Sequence, residues 1–158
     1  MRRECDNPVC AMANYSFGVG PNVLWRHDLL SPEVHRWLSR DWGFSPFSFF
    51  EQMARCARHE RLVPVSGIPS LPADLAVASP RTDAAFTLLA GERNRCFLPE
   101  SQRRSYEHFR AAALAAGRDP GRHALHVLPG YSHLDVFFGR RVGDEVFPVI
   151  LGALAAAQ

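Results

Sequence analysis

Pro129-Gly-Tyr-Ser-His-Leu-Asp135 directly follows His123-Ala-Leu-His-Val-Leu128, an apolar run of strand length. Pro-Gly is a turn signal, so His133 is predicted on a loop just beyond the end of a buried strand. An imidazole held there can work as a general base over the edge of a sheet. It can equally be a structural histidine, hydrogen-bonded within a turn, and one residue alone does not choose between the two.

Upstream, Phe86-Thr-Leu-Leu-Ala90 is a second short apolar run, ended by Gly91, and predicts another buried strand. Pro99-Glu100 then opens a helix carrying Tyr106, Phe109, Ala113 and Leu114, closed by Gly117. Downstream, Val142, Val146, Val149, Ile150 and Leu154 recur at helical spacing, with Pro148 in the first turn of that helix or at a kink in it. The order strand, loop, helix, strand, loop, helix predicts two parallel strands joined by a right-handed crossover. Both loops, 91–99 and 129–139, then sit at the carboxyl ends of the strands, where open α/β sheets gather their chemistry.

Toward the N-terminus the pattern changes. The first thirty residues show no sustained period and contain Asn7-Pro8 and Gly18-Val-Gly20-Pro21, which predicts irregular structure. Ser31-Pro32-Glu33 is a helix start with serine as N-cap, leading into Val34, Trp37 and Leu38 on one face. Ser45-Pro46 repeats that signal ahead of Phe49, Phe50, Met53, Cys56 and Ala57. Residues 63–82 hold four prolines and a glycine and read as a linker.

With 47% hydrophobic and 22% charged residues, the 158-residue chain has the balance of a globular protein with a real core. No apolar run is long enough for a membrane span, no export signal is visible, and a cytoplasmic location is expected. A net charge of +2 with scattered arginines argues against nucleic acid as a partner. Cys5, Cys10, Cys56 and Cys96 are expected to be reduced thiols. Cys5-x4-Cys10 is looser than a usual zinc pair and has no matched second pair, so neither a metal nor a cofactor is expected. His123 and His126 alternate along one strand and read as structural, while His27, His35, His59 and His108 show no evident partner.

Set side by side, Gly91-Glu-Arg-Asn-Arg-Cys-Phe-Leu-Pro-Glu100 and the histidine loop resemble the last third of α/β-hydrolases of the acid-lipase kind. More closely, Cys5-Asp-Asn-Pro-Val-Cys10, Leu24-Trp-Arg-His27, Phe97-Leu-Pro-Glu-Ser101 and Pro129-Gly-Tyr-Ser-His-Leu-Asp135 are similar to hydrolases found fused to, or beside, GMC-type cholesterol oxidases. The resemblance spans nearly the whole chain. It implies an α/β fold, the C-terminal portion of an α/β-hydrolase with two parallel strands and flanking helices, preceded by a helical cap-like segment. The implied division is a cap-like region at 1–62, the linker at 63–82 and the hydrolase half at 83–158.

The same resemblance implies hydrolysis of a hydrophobic ester by a serine, acid and histidine triad, with His133 as base and Asn94 at the acid position. Acid lipases carry aspartate there, and an asparagine can orient an imidazole without stabilising its cation. Asp135 could replace the acid only if the loop folds back; two residues from His133, it is expected instead to cap the following segment or pair with an arginine, and Asp83 falls at the wrong end of its strand. In the family the nucleophile lies in Gly-x-Ser-x-Gly, upstream of acid and base, and this chain has no such motif. Asn14-Tyr-Ser16-Phe-Gly18 is the nearest pattern, but Gly20-Pro21 follows where a helix should begin. On the family reading Trp42, Phe47, Phe49 and Phe50 would line the acyl pocket; as ordinary helix core they need no ligand.

Three functions remain open: a fragment of a hydrolase, inactive alone and prone to self-association; a subunit completed by a separate N-terminal half; or a non-catalytic binding domain, such as one accompanying a GMC oxidoreductase.

Overall fold

The computed structural model describes residues 5–18, 20–43, 45–65 and 82–156. Nearly all of the expected linker therefore lies outside the described residues. The architecture is mixed α/β and mostly helical, with a two-stranded parallel sheet.

The first element, α1 (Pro8–Phe17), overturns the expectation of irregular structure before residue 31. Asn7-Pro8 is a helix start: the Asn7 side chain accepts hydrogen bonds from the backbone N–H groups of Val9 and Cys10, and Pro8 occupies the first helical turn, where its missing N–H costs nothing. The same dipeptide also marks turns, and only the contacts made by the following ten residues separate the two uses. Helix α2 (Pro32–Asp41) begins as expected, with Ser31 Oγ accepting from the Val34 N–H. Helix α3 (Phe47–Arg58) starts later than Ser45-Pro46 suggests, for Pro46 itself is the N-cap and no side chain caps the helix.

Strand β1 (Thr87–Gly91) pairs in parallel with β2 (Ala124–Leu128), Leu88 opposite Leu125 and Gly91 opposite Leu128. Helix α4 (Pro99–Ala115) connects them and packs on both strands, with Phe109 stacked on Phe86 at 4.2 Å between ring centroids. The expected last helix is broken into α6 (Val142–Glu145) and α7 (Phe147–Ala155), after a single turn, α5 (Asp135–Phe138). Pro148 sits in the first turn of α7, which is why the α-helix cannot run continuously from Val142.

Two apolar clusters hold these elements together. Cys10, Ala13, Leu24, Trp25, Leu30 and Leu38 form one, and Cys96, Leu134 and Phe138 from the second half of the chain pack against it. Leu128, Tyr131, Val136, Val142 and Val146 form the other, joined by Leu29 from the first half and Leu89 of β1. The N-terminal segment thus shares its core with the strand-bearing half. Burying side chains of this size contributes about 1.5–3 kcal/mol each, so residues 22–30 are fixed where they lie beside the 129–139 loop.

Candidate functional site

Gly91 ends β1 at a point of close backbone approach. A Cβ there would stand 2.1 Å from the Ser132 carbonyl oxygen and 2.5 Å from that of Tyr131. Only glycine lets the 91–99 loop lie against the 129–139 loop. The two are then cross-linked: the Glu92 N–H donates to the Leu128 carbonyl at 2.9 Å, the Arg93 N–H to that of Tyr131 at 2.8 Å, and the Gly130 N–H to the Glu92 carboxylate at 3.0 Å. Gly130 takes a φ of +76°, the left-handed conformation that the turn after β2 requires.

The N-terminal segment clamps the histidine loop from its other side. Ser132, fully buried, donates from Oγ toward the carbonyls of Asn22 and Val23, at 2.8 and 3.2 Å. The Leu134 N–H donates to the Leu24 carbonyl at 2.6 Å, and the Arg26 guanidinium reaches the Gly130 carbonyl at 2.7 Å. Tyr131 donates its hydroxyl proton to Glu145 at 2.6 Å, and burial followed by that carboxylate pushes its pKa up to about 12. Asp135 is fully buried and accepts the Ser132 N–H on Oδ1, which closes the turn before it; it does not cap the following segment, for α5 begins at Asp135 itself and has no side-chain cap. Burial pushes its carboxyl up to about 6, against the backbone N–H bonds and the Arg26 charge, which act to lower it.

The structure brings His133 and Asn94 together. Asn94 Nδ2 lies 3.1 Å from His133 Nδ1, and Asn94 is buried. The orientation of the Asn94 amide follows from its other bonds: Oδ1 accepts the backbone N–H groups of both Cys96 and Phe97, at 3.0 and 2.9 Å. Turning the amide over would aim an NH2 at two N–H donors. Nδ2 must therefore face the imidazole, and it can only donate, so His133 Nδ1 is the acceptor and the ring proton sits on Nε2. Phe97 flanks the imidazole at 5.2 Å between centroids, and burial lowers the His133 pKa below the ordinary histidine range. Both effects favour the neutral ring.

The remaining candidates separate from this pair. Ser16 lies within α1, and its Oγ donates to the Met12 carbonyl of the preceding turn. Phe49, Phe50 and Trp42 pack on Phe17 of α1, Trp42 also meets Trp25, and Phe47 is 86% exposed. Apart from Phe47, these rings therefore cover one another, with Trp42 and Phe17 packed on the first core cluster. His123 accepts the Phe86 N–H on Nδ1 and is structural in that sense. Asp83 is exposed ahead of β1.

Sequence reasoning passed over one further group. Cys5, Cys10, His27 and His35 place one sulfur or nitrogen each within 4.8 Å of all the others. His27 and His35 were expected to be without partners, and Cys5-x4-Cys10 to be without a second pair. The histidines supply that pair, separated by seven residues, because the chain turns back after α1 and lays the His27–Leu29 3-10 turn and α2 beside the α1 N-terminus. No helix among the described residues is long and apolar enough to cross a membrane.

Comparison with protein-family models, with curated proteins and with solved structures returns no match for this chain.

Proposed function

We propose that the chain is the acid-and-histidine portion of an α/β-hydrolase-like esterase, silent by itself, in which His133 stands at the position of the base and Asn94 at that of the acid, holding the imidazole in place. The observation that carries this is the 3.1 Å contact between Asn94 and His133, made across two loops at the carboxyl ends of adjacent parallel strands. That is where an open α/β sheet presents an acid and a base. In a working triad the acid accepts the Nδ1 proton of the base, leaving Nε2 open to take a proton from the nucleophile. Here the donor and acceptor are reversed, so Nε2 carries the hydrogen and cannot accept one. Without Gly-x-Ser-x-Gly in the chain and with Ser16 spent on α1, esterolysis needs both a nucleophile from outside the described residues and a shift of the His133 ring proton off Nε2.

The partner that suits this site is a hydrolase half carrying the remaining strands and the nucleophile. A sheet of two parallel strands supports the same view, since parallel sheets are normally covered on both faces and extended by further strands. The substrate class would be a hydrophobic ester. The test is treatment of the purified chain with a fluorophosphonate serine probe and with p-nitrophenyl esters of increasing acyl length. Neither labelling nor hydrolysis above the uncatalysed rate is expected; stoichiometric labelling of Ser16, or of any serine, sinks the proposal.

A further inference from the structure

Two cysteines and two histidines from three separate parts of the chain converge beside the first core cluster. Cys5 precedes α1, Cys10 lies in its first turn, His27 opens the 3-10 turn and His35 lies on α2. Cys10 Sγ is 3.1 Å from His27 Nε2, and Cys5 Sγ is 3.7 Å from His35 Nε2. Bonds of about 2.0–2.3 Å from a central tetrahedral ion to sulfur and nitrogen place ligand atoms about 3.3–3.8 Å from one another. Thiol–imidazole hydrogen bonds would account for each of these two contacts singly. They give no reason for the two pairs to meet, with the imidazoles edge to face at 4.9 Å and all four donor atoms inside 4.8 Å.

We propose that Cys5, Cys10, His27 and His35 form a structural zinc site. The donor set chooses the metal: two thiolates with two imidazoles in a tetrahedron suit zinc, whereas magnesium, calcium and manganese want oxygen ligands. Charge agrees with burial. Binding releases the two thiol protons, and two thiolates with one divalent cation make a neutral cluster, which is what lets the 1%-exposed Cys10 ionise. Four protein ligands complete the tetrahedron and leave no position for water or substrate, so the role is structural.

Zinc at this position would also steady the histidine loop. His27 is only three residues from Leu24, whose carbonyl accepts the Leu134 N–H, and the neighbouring carbonyls of Val23 and Asn22 hold Ser132. Tying His27 to α1 and α2 therefore fixes the strip of backbone on which His133 is mounted.

The purified full chain, prepared under reducing conditions, is analysed for metal, then stripped with a chelator and titrated with Co2+. The expected result is stoichiometric zinc as isolated and, on cobalt binding, the strong ligand-field bands of a tetrahedral ion with thiolate charge transfer. His35→Ala should abolish this. Since that variant can also fail by unfolding, His35→Cys provides the complementary arm: it should still bind cobalt, with charge transfer raised to that of three thiolates. Cys56→Ser, outside the cluster, should leave the spectrum unchanged. Metal-free chain as isolated together with only weak octahedral cobalt bands, a Cys5–Cys10 disulfide in the reduced preparation, or a His35→Cys spectrum identical to the parent's would each overturn the proposal.

Discussion

Asn94 uses both ends of its amide, and the order in which it uses them sets the chemistry of its neighbour. The N–H groups of Cys96 and Phe97 take the oxygen, leaving only the NH2 for His133. An aspartate in the same place would accept all three hydrogens, because a carboxylate has acceptor sites to spare. Asn94→Asp is therefore expected to move the His133 proton from Nε2 to Nδ1 and to raise its pKa, since a carboxylate favours the imidazolium. Nitrogen-15 NMR of the histidine ring reads both changes directly. Stability follows with a definite sign. In the parent chain the folded pKa of His133 lies below its unfolded value, so the unfolded state takes up a proton first, and stability is lost as pH falls from about 6.5 through the folded pKa. In Asn94→Asp that loss should shrink, visible as a smaller drop in the urea midpoint on going from pH 7 to pH 6. A His133 that titrates identically in both proteins, with the same tautomer, contradicts the donor assignment. On the hydrolase reading proposed above, the variant gains no esterase activity, since the sequence holds no Gly-x-Ser-x-Gly.

At the scale of elements, what could be read from the sequence was whatever is decided locally. The runs Phe86 to Ala90 and Ala124 to Leu128 are short, apolar and bounded by glycine and proline, and they became β1 and β2 within a residue. Pro99-Glu100 and Ser31-Pro32 are helix starts marked by a proline in the first turn, and both are correctly placed. Asn94 was located opposite His133 through the family resemblance, because both loops leave the same sheet edge. The direction of their hydrogen bond was not legible, as it depends on the two backbone donors behind Asn94. The Cys5, Cys10, His27 and His35 cluster was hidden for a related reason: its spacing becomes meaningful only once α1 and α2 lie side by side. Gly91 joins the two levels. It ended a strand in the sequence, and in the structure it is the contact through which the two loops touch. Gly91→Ala forces either the Tyr131–Ser132 backbone or the end of β1 to move, and overpacking of this kind costs about 1–3 kcal/mol. The expected outcome is a lower thermal midpoint together with a displaced His133 ring signal, because the Asn94 bond crosses the same junction. A stable Gly91→Ala protein with an unshifted His133 would mean that the loops are held apart from this contact.

Taken whole, the molecule has two core clusters on either side of the histidine loop but leaves much apolar surface uncovered. On α7, Phe147, Leu151 and Leu154 follow one another at spacings of four and three, so they share a face, and they are 40%, 63% and 60% exposed. The two strands each present an outer edge with no further strand of the sheet among the described residues. Exposed strand edges and apolar helix faces promote association, and a net charge of only +2 offers little repulsion to oppose it. If the sheet is normally extended by a hydrolase half, the chain alone should self-associate as its concentration rises, and sedimentation velocity over a hundredfold dilution should show it. Leu151→Glu with Leu154→Glu puts two charges on the α7 face without touching either cluster, and should shift the association to higher concentration while leaving the thermal midpoint nearly unchanged. The sheet edges predict a different response: association that persists in the double variant would be carried by β1 and β2. A chain that stays monomeric across the whole range would instead mean that this surface needs no cover, and the completing half would lose its main structural support.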